Sequence, residues 1–197
     1  MQLHPTTATH ARTNAETAIA IARALELPGS GKLTPGDITG GANVTGVLAL
    51  LLSCARAHTL GRLSAGAFNG VACDEVAVVA WANERVGAAV AAATGVPPSP
   101  SKPFFSHFSA LAVGKPGGAV NLAFLLAGLG AAIDWPIVGD AGKAPVEVAA
   151  YLVGVAARLG GYILPTPAEL VEGAPKPTAF LILSTFAAVT WGQTHTA

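Results

Sequence analysis

Apolar runs separated by Gly- and Pro-rich turns recur along the whole chain and predict α-helices. Long alternating β-branched runs, which are typical of strands, are absent. Predicted helix ends coincide with boundary residues, such as Asn14 and Asp74 at N-termini and Pro28-Gly29 after the first helix. We therefore predict an all-α fold with one domain of about seven helices. The predicted segments are 14–27, 42–59, 74–94, 104–113, 119–133, 145–159 and 179–189, with a short helical turn at 168–172.

Three segments lack this apolar periodicity and define the expected domain organisation. Residues 1–13 are rich in Thr, His and Ala, and they are expected to form a flexible N-terminal arm. The helical core is expected to cover residues 14–191, with a possible hinge at the Pro/Ser-rich segment 97–103. Residues 192–197 are predicted to be a polar C-terminal tail.

The helix predicted at 42–59 is apolar nearly all round. Val47, Leu48 and Leu50 to Leu52 fall on more than one helical face. A helix with apolar residues on every side is normally buried. The pattern predicts that this helix lies at the centre of the domain.

Few charged residues are present to cover the surface. Asp, Glu, Lys and Arg make up 11% of the 197 residues, against about 25% in an ordinary soluble domain. A compact monomer of this mass exposes roughly 8,500 Å², or roughly 400 Å² for each charge. We therefore expect other copies of the chain, or lipid, to cover part of the exterior. The formal net charge is zero, so no global field attracts polyanions.

The mean hydropathy of +0.54 raises the alternative of a membrane protein. Residues 38–55 and 177–197 contain no Asp, Glu, Lys or Arg. The strongly apolar part of each is only about 10–15 residues, however, whereas a spanning helix needs about 20. The sequence therefore argues against a membrane-spanning protein without excluding it.

No arrangement of residues predicts catalysis, a cofactor or a metal site. Cys54 and Cys73 are far apart, and the five histidines do not have the spacing of a zinc site. A small helical enzyme or ligand-binding domain stays open as an alternative, with an apolar pocket. That pocket would be lined by Trp81, Phe104, Phe108 and Tyr151.

The order of segments between residues 104 and 183 resembles a known family. An aromatic segment is followed by Lys115-Pro116-Gly117-Gly118-Ala119-Val120-Asn121 and then by Ile133-Asp134-Trp135. A Gly/Lys/Pro loop leads to the block that contains Ala149-Ala150-Tyr151 and Gly154-Val155, and a proline step follows at 161–169. This order resembles the coat proteins of flexible filamentous plant viruses, the potexvirus-like group.

The chain departs from this family at a buried ion pair. The family's aspartate corresponds to Leu152 here, and its arginine partner has only Lys102 or His107 nearby in the sequence. Apolar packing can replace a buried ion pair without loss of stability. The family's Pro-Pro before the tryptophan is Ala131-Ala132 in this chain.

The resemblance implies a non-enzymatic structural protein of virions, found in the cytoplasm of the host cell. Its copies would form a helical filament, each docking its N-terminal arm on a neighbour and binding single-stranded genomic RNA in a groove. Contacts to phosphates would position the RNA without reading its sequence. The candidate RNA-binding residues on this hypothesis are Lys102, Ser106, His107, Lys115, Asn121, Lys143 and Arg158.

Overall fold

The structure is a computed structural model that describes residues 7–95, 103–162, 164–173 and 175–195. These residues form nine α-helices and two short 3-10 helices, and no strand occurs among them. The all-α prediction is therefore confirmed. The chain divides into two compact units, Met1–His58 and Thr59–Ala197. The boundary falls inside a helix, where the sequence contains no break.

The first unit is built from short helical elements around a small apolar cluster. Helix α1 (Ala8–Ala24) is followed by a 3-10 helix (Ser30–Lys32), helix α2 (Pro35–Gly40) and the start of helix α3 (Val44–Gly66). Thr34 and Asp37 form a capping box at α2 through reciprocal side-chain and backbone hydrogen bonds. The buried residues of the cluster are Ile19, Ala22, Leu33 and Leu50.

Helix α1 begins earlier than predicted, at Ala8 instead of Asn14. The Thr7 hydroxyl accepts a hydrogen bond from the His10 amide at 3.2 Å and thereby caps the helix. Arg12 and Glu16 form an ion pair at 3.0 Å, one helical turn apart. Residues 8–13 of the expected N-terminal arm are therefore helical, while residues 1–6 lie outside the described part of the chain.

The second unit contains the rest of α3 and six further α-helices. They are α4 (Glu75–Thr94), α5 (Gly118–Gly128), α6 (Trp135–Gly139), α7 (Pro145–Arg158), α8 (Pro167–Glu172) and α9 (Pro175–His195). A 3-10 helix (Phe108–Leu111) precedes α5 and packs against α9. Helices α4, α5, α7 and α9 surround a core that includes Val78, Leu122, Leu125, Leu152 and Phe186.

Several predicted boundaries in this unit need correction. The aromatic helix predicted at 104–113 is mostly irregular and contains only the 3-10 helix. The helix predicted at 119–133 ends at Gly128, and Trp135-Pro136 begins a further helix, α6, since proline is well tolerated in the first turn of a helix. Helix α9 continues to His195, so residues 192–195 extend a helix instead of forming a tail. Of the possible hinge at 97–103, only Pro103 lies within the described residues.

Candidate assembly surface and nucleic-acid contacts

Helix α3 presents an exposed apolar face in its first half. Asn43 caps the helix, since its Oδ1 accepts a hydrogen bond from the Gly46 amide at 2.9 Å. Four large apolar side chains at positions i, i+4, i+7 and i+8 then lie on one face. Their exposed fractions are 60% for Val44, 53% for Leu48, 59% for Leu51 and 40% for Leu52. We call these four residues the leucine stripe.

A different face of the same helix packs within the first unit. Leu50 is buried there and Val47 packs against the same cluster. The expectation that the whole helix lies at the centre of a domain is therefore wrong for its first half. The short elements of the first unit cover only one side of α3, and the leucine stripe stays exposed.

The second half of α3 belongs to the core of the second unit. Leu63 and Thr59 are fully buried, and the Thr59 hydroxyl lies 3.0 Å from the hydroxyl of Tyr162. Arg62 lies over the ring of Tyr162 at 5.7 Å. These contacts fix the second half of α3 within the second unit.

The predicted RNA-binding residues before α5 lie on an irregular segment. Ser106 and His107 are exposed, and the His107 Nδ1 lies 2.6 Å from the Ser109 hydroxyl. Lys115 is exposed in the turn that leads into α5. Asn121 is half-buried, and its Nδ2 donates a hydrogen bond to the Phe104 carbonyl at 3.4 Å. The side chain of Asn121 is thus tied to the backbone of this segment.

The remaining predicted cations are not brought together. Lys143 is exposed in the loop before α7, and Arg158 is exposed at the last residue of that helix. The axis of a helix of this length spans about 20 Å, so the two cations lie at opposite ends of α7. Lys102 lies outside the described residues.

Asn83 fixes the aromatic segment, although the sequence analysis did not single it out. Its Oδ1 accepts hydrogen bonds from the amides of Phe104 at 2.8 Å and Phe105 at 3.2 Å. Its Nδ2 donates to the carbonyls of Phe105 and Val79, each at 2.9 Å. In the sequence, the only sign of this role is that the Asn83 carboxamide lies on the same face of α4 as Val86, which is buried.

The sequence also did not predict a groove in the second unit. It has a volume of about 210 Å³ and is lined in part by the side chains of Trp81 and Arg85, which lie one helical turn apart on α4. The Arg85 guanidinium carbon lies 5.1 Å from the centre of the Trp81 ring. The ring meets Phe186 edge-on at 4.8 Å. The other described residues that line it are Gly128, Leu129, Gly130, Val189 and Thr190.

The residues proposed for an apolar pocket do not line this groove together. Phe108 is buried in the core, and Phe104 packs against that core. The Tyr151 hydroxyl accepts a hydrogen bond from the Asp134 amide at 2.6 Å. Trp81 alone among the four lines the groove. The described residues also contain no group of three His, Cys, Asp or Glu side chains that could hold a metal ion.

Two helices of the described part, α3 and α4, are long and apolar enough to cross a membrane. The criterion uses length and composition alone, and core helices of water-soluble proteins also meet it. Helix α4 buries Val78, Ala82 and Val86 in the core of the second unit. No family model matches this chain, and no curated protein matches it.

Proposed function

We propose that this protein is a self-assembling structural coat protein, which packs as a helical array around single-stranded RNA and binds it without sequence preference. The observation that carries the proposal is the leucine stripe on α3. Contiguous exposed apolar side chains, as opposed to single scattered ones, are a mark of an interaction surface. Residues 38–55 contain no charged side chain, so a second copy can pack there without repulsion between like charges.

The size of the stripe favours an array with several contacts over a simple dimer. The helix from Val44 to Ala55 is about 18 Å long and 10 Å wide, which gives a contact of roughly 200 Å². A stable pairwise interface buries about 800 Å² on each partner. Further exposed apolar residues on the second unit can supply additional contacts in a repeating assembly. They are Val71, Val76, Val120, Trp135, Val146, Tyr162 and Leu164.

A protein partner fits the stripe better than a bilayer. The uncharged length of about 18 Å is shorter than the 30 Å of a hydrocarbon core. The charged residue Arg56 directly follows this uncharged segment. Beyond it, Thr59 and Leu63 of the same helix are buried in the second unit. Exposed leucines that lie this close to a charged residue are covered more favourably by another protein surface than by the hydrocarbon core of a bilayer.

Exposed cations support the RNA component of the proposal. The side chains of Lys115, Lys143 and Arg158 have no hydrogen bond or ion pair to any other described residue. Each subunit would neutralise only a few phosphates, and the sum over many subunits would supply the affinity. Zero net charge per subunit is compatible with this arrangement. The proposed location is the virion and the cytoplasm of its host cell.

The test compares assembly of the wild-type chain with that of two variants of equal charge. Leu51→Glu places a carboxylate in the stripe, whereas Ile21→Glu places one at a 54% exposed apolar site on α1, outside the stripe and outside the additional contacts. Light scattering and electron microscopy at low salt should show filaments for wild type and Ile21→Glu. Leu51→Glu should give folded, unassembled subunits, with unchanged helix content by circular dichroism.

RNA packaging is tested on the same preparations. Wild-type assemblies should contain RNA that resists nuclease, and raising the salt concentration should release it. A wild-type chain that stays monomeric and free of RNA at low salt and high concentration would overturn the proposal. Equal assembly of Leu51→Glu and wild type would remove the leucine stripe as its basis.

A further inference from the structure

The geometry points to the groove lined by Trp81 and Arg85 as a binding site for one nucleotide of single-stranded RNA. This inference rests on the proposed RNA-binding function and adds a site to it. Arg85 would hold the phosphate, and the base would pack against the Trp81–Arg85 pair. None of the predicted RNA-binding residues that the structure describes is among those that line this groove.

Arg85 has the properties expected of a phosphate ligand. Its side chain is exposed, and its guanidinium has no hydrogen bond or ion pair to another described residue. The contact with Trp81 orients the guanidinium while its N–H groups stay available. A guanidinium held in place donates two parallel hydrogen bonds to a phosphate with little further loss of conformational freedom. A mobile lysine acts only as a point charge.

The groove matches the size and chemistry of a nucleobase. Its volume of about 210 Å³ is below the roughly 300 Å³ at which sites for drug-sized molecules begin. Gly128 and Gly130 line one side, so backbone is accessible where a larger residue would place a side chain. Leu129 and Val189 add apolar contact for the faces of a base. Bases in single-stranded RNA commonly stack on aromatic rings and on arginine guanidinium groups.

Further contacts hold the Trp81 ring and the helices around the groove in place. Phe186, which is fully buried in α9, meets the ring edge-on, and Phe68 lies 6.3 Å away at an angle of 50°. Gly128 approaches α4 so closely that an added Cβ would lie 2.8 Å from the Arg85 carbonyl oxygen. Helices α4, α5 and α9 thus fix the groove from three sides, which suits a site that is formed before the ligand binds.

The first experiment uses uridine 5′-monophosphate as the probe and indole fluorescence as the readout. Binding should quench the wild-type protein, and Trp81→Phe should remove that part of the signal. Arg85→Ala should weaken binding at least tenfold, and Arg85→Lys should give an intermediate loss. Lys32→Ala removes an exposed cation from the first unit and should change binding less than twofold.

The second experiment measures a labelled ten-residue oligouridylate over a range of salt concentrations. The slope of log affinity against log salt is negative, and Arg85→Ala should make it less steep by about 0.7, the value for one phosphate on a single strand. Thermal unfolding of each variant identifies any loss of RNA affinity that is caused by misfolding. Arg85→Lys is then compared with Arg85→Ala, because the lysine variant retains the positive charge.

The outcomes separate this inference from the proposed function. If the chain assembles and protects RNA while Arg85→Ala binds both probes as wild type does, the inference is overturned and the coat function stands. If the chain does not assemble but the monophosphate quenches Trp81 in an Arg85-dependent way, the nucleotide site stands alone. Absence of any Trp81-dependent quenching overturns the site.

Discussion

The side chain of Asn83 and the backbone of Phe105 form two reciprocal hydrogen bonds. The Nδ2 of Asn83 donates to the Phe105 carbonyl at 2.9 Å, and its Oδ1 accepts from the Phe105 amide at 3.2 Å. The carboxamide thereby takes the place of a neighbouring strand or helical turn. This relationship explains how an irregular segment can lie against the core with its backbone groups paired.

Replacing Asn83 should therefore cost more stability than replacing a more weakly bonded carboxamide nearby. Asn83→Leu removes partners from the amides of Phe104 and Phe105, and we expect a loss of about 2–3 kcal/mol in the free energy of unfolding. Asn121→Leu removes a single bond of 3.4 Å and should cost about 1 kcal/mol or less. Urea unfolding measures both, and equal losses would contradict the role assigned to Asn83.

The same contact shows where prediction from the sequence fails. The helices that begin at Asp74 and Pro145 carry their signals locally: an acidic N-cap that binds the Ala77 amide at 2.9 Å, and a first-turn proline. The aromatic segment has helical apolar spacing, but its backbone is paired with a side chain some twenty positions earlier. Local periodicity carries no information about such a distant partner.

Helix α3 shows that the sequence can predict a helix correctly and still not predict which of its residues are buried. Its apolar residues predict a helix, and a helix is present. Periodicity does not distinguish burial by the same chain from burial by another molecule. The exposed Leu48 and buried Leu50 are chemically identical and differ only in what the first unit places beside them. The groove at Trp81 was missed for a related reason, because Val189 reaches it only through the packing of α9.

Glycine at position 118 allows the start of α5 to approach the preceding 3-10 helix. A Cβ built on Gly118 would overlap the Ala112 carbonyl oxygen, which belongs to rigid backbone. Gly118→Ala should destabilise the protein by about 2 kcal/mol or more, because the helix must move. Gly61 in α3 has no atom within 4 Å of a built Cβ, and Gly61→Ala should stabilise by about 0.5–1 kcal/mol. Calorimetry should therefore show shifts of opposite sign, and a stabilised Gly118→Ala would contradict the packing.

Two capping boxes make part of the stability dependent on pH. The pKa of Asp37 lies below its ordinary value, first because its carboxylate accepts a hydrogen bond from the Thr34 amide and then because it accepts one from the Thr34 hydroxyl. The pKa of Glu169 is lowered in the same order by the Thr166 amide and hydroxyl. Both carboxylates bind fewer protons in the folded state than in the unfolded state near their ordinary pKa values.

The contribution of these two caps should consequently be complete above the ordinary carboxyl pKa of about 4 and decrease as the pH falls through the lowered values. Carbon-detected NMR titration of the side-chain carboxyls measures each pKa. Thr34→Ala should raise the pKa of Asp37 and leave that of Glu169 unchanged, while Thr166→Ala should do the reverse. A pKa for Asp37 that does not respond to Thr34→Ala would show that the capping box is not formed in solution.

Leu152 provides a direct test of the apolar packing in the core of the second unit. It lies on α7, is fully buried and belongs to the core cluster of the second unit. Leu152→Asp would bury a carboxylate among apolar side chains, and we expect a loss of at least about 4 kcal/mol or failure to fold. Leu152→Met keeps the volume and should cost less than about 1.5 kcal/mol. A stable Leu152→Asp variant would require a cation that can reach position 152, and it would contradict the apolar packing described for this core.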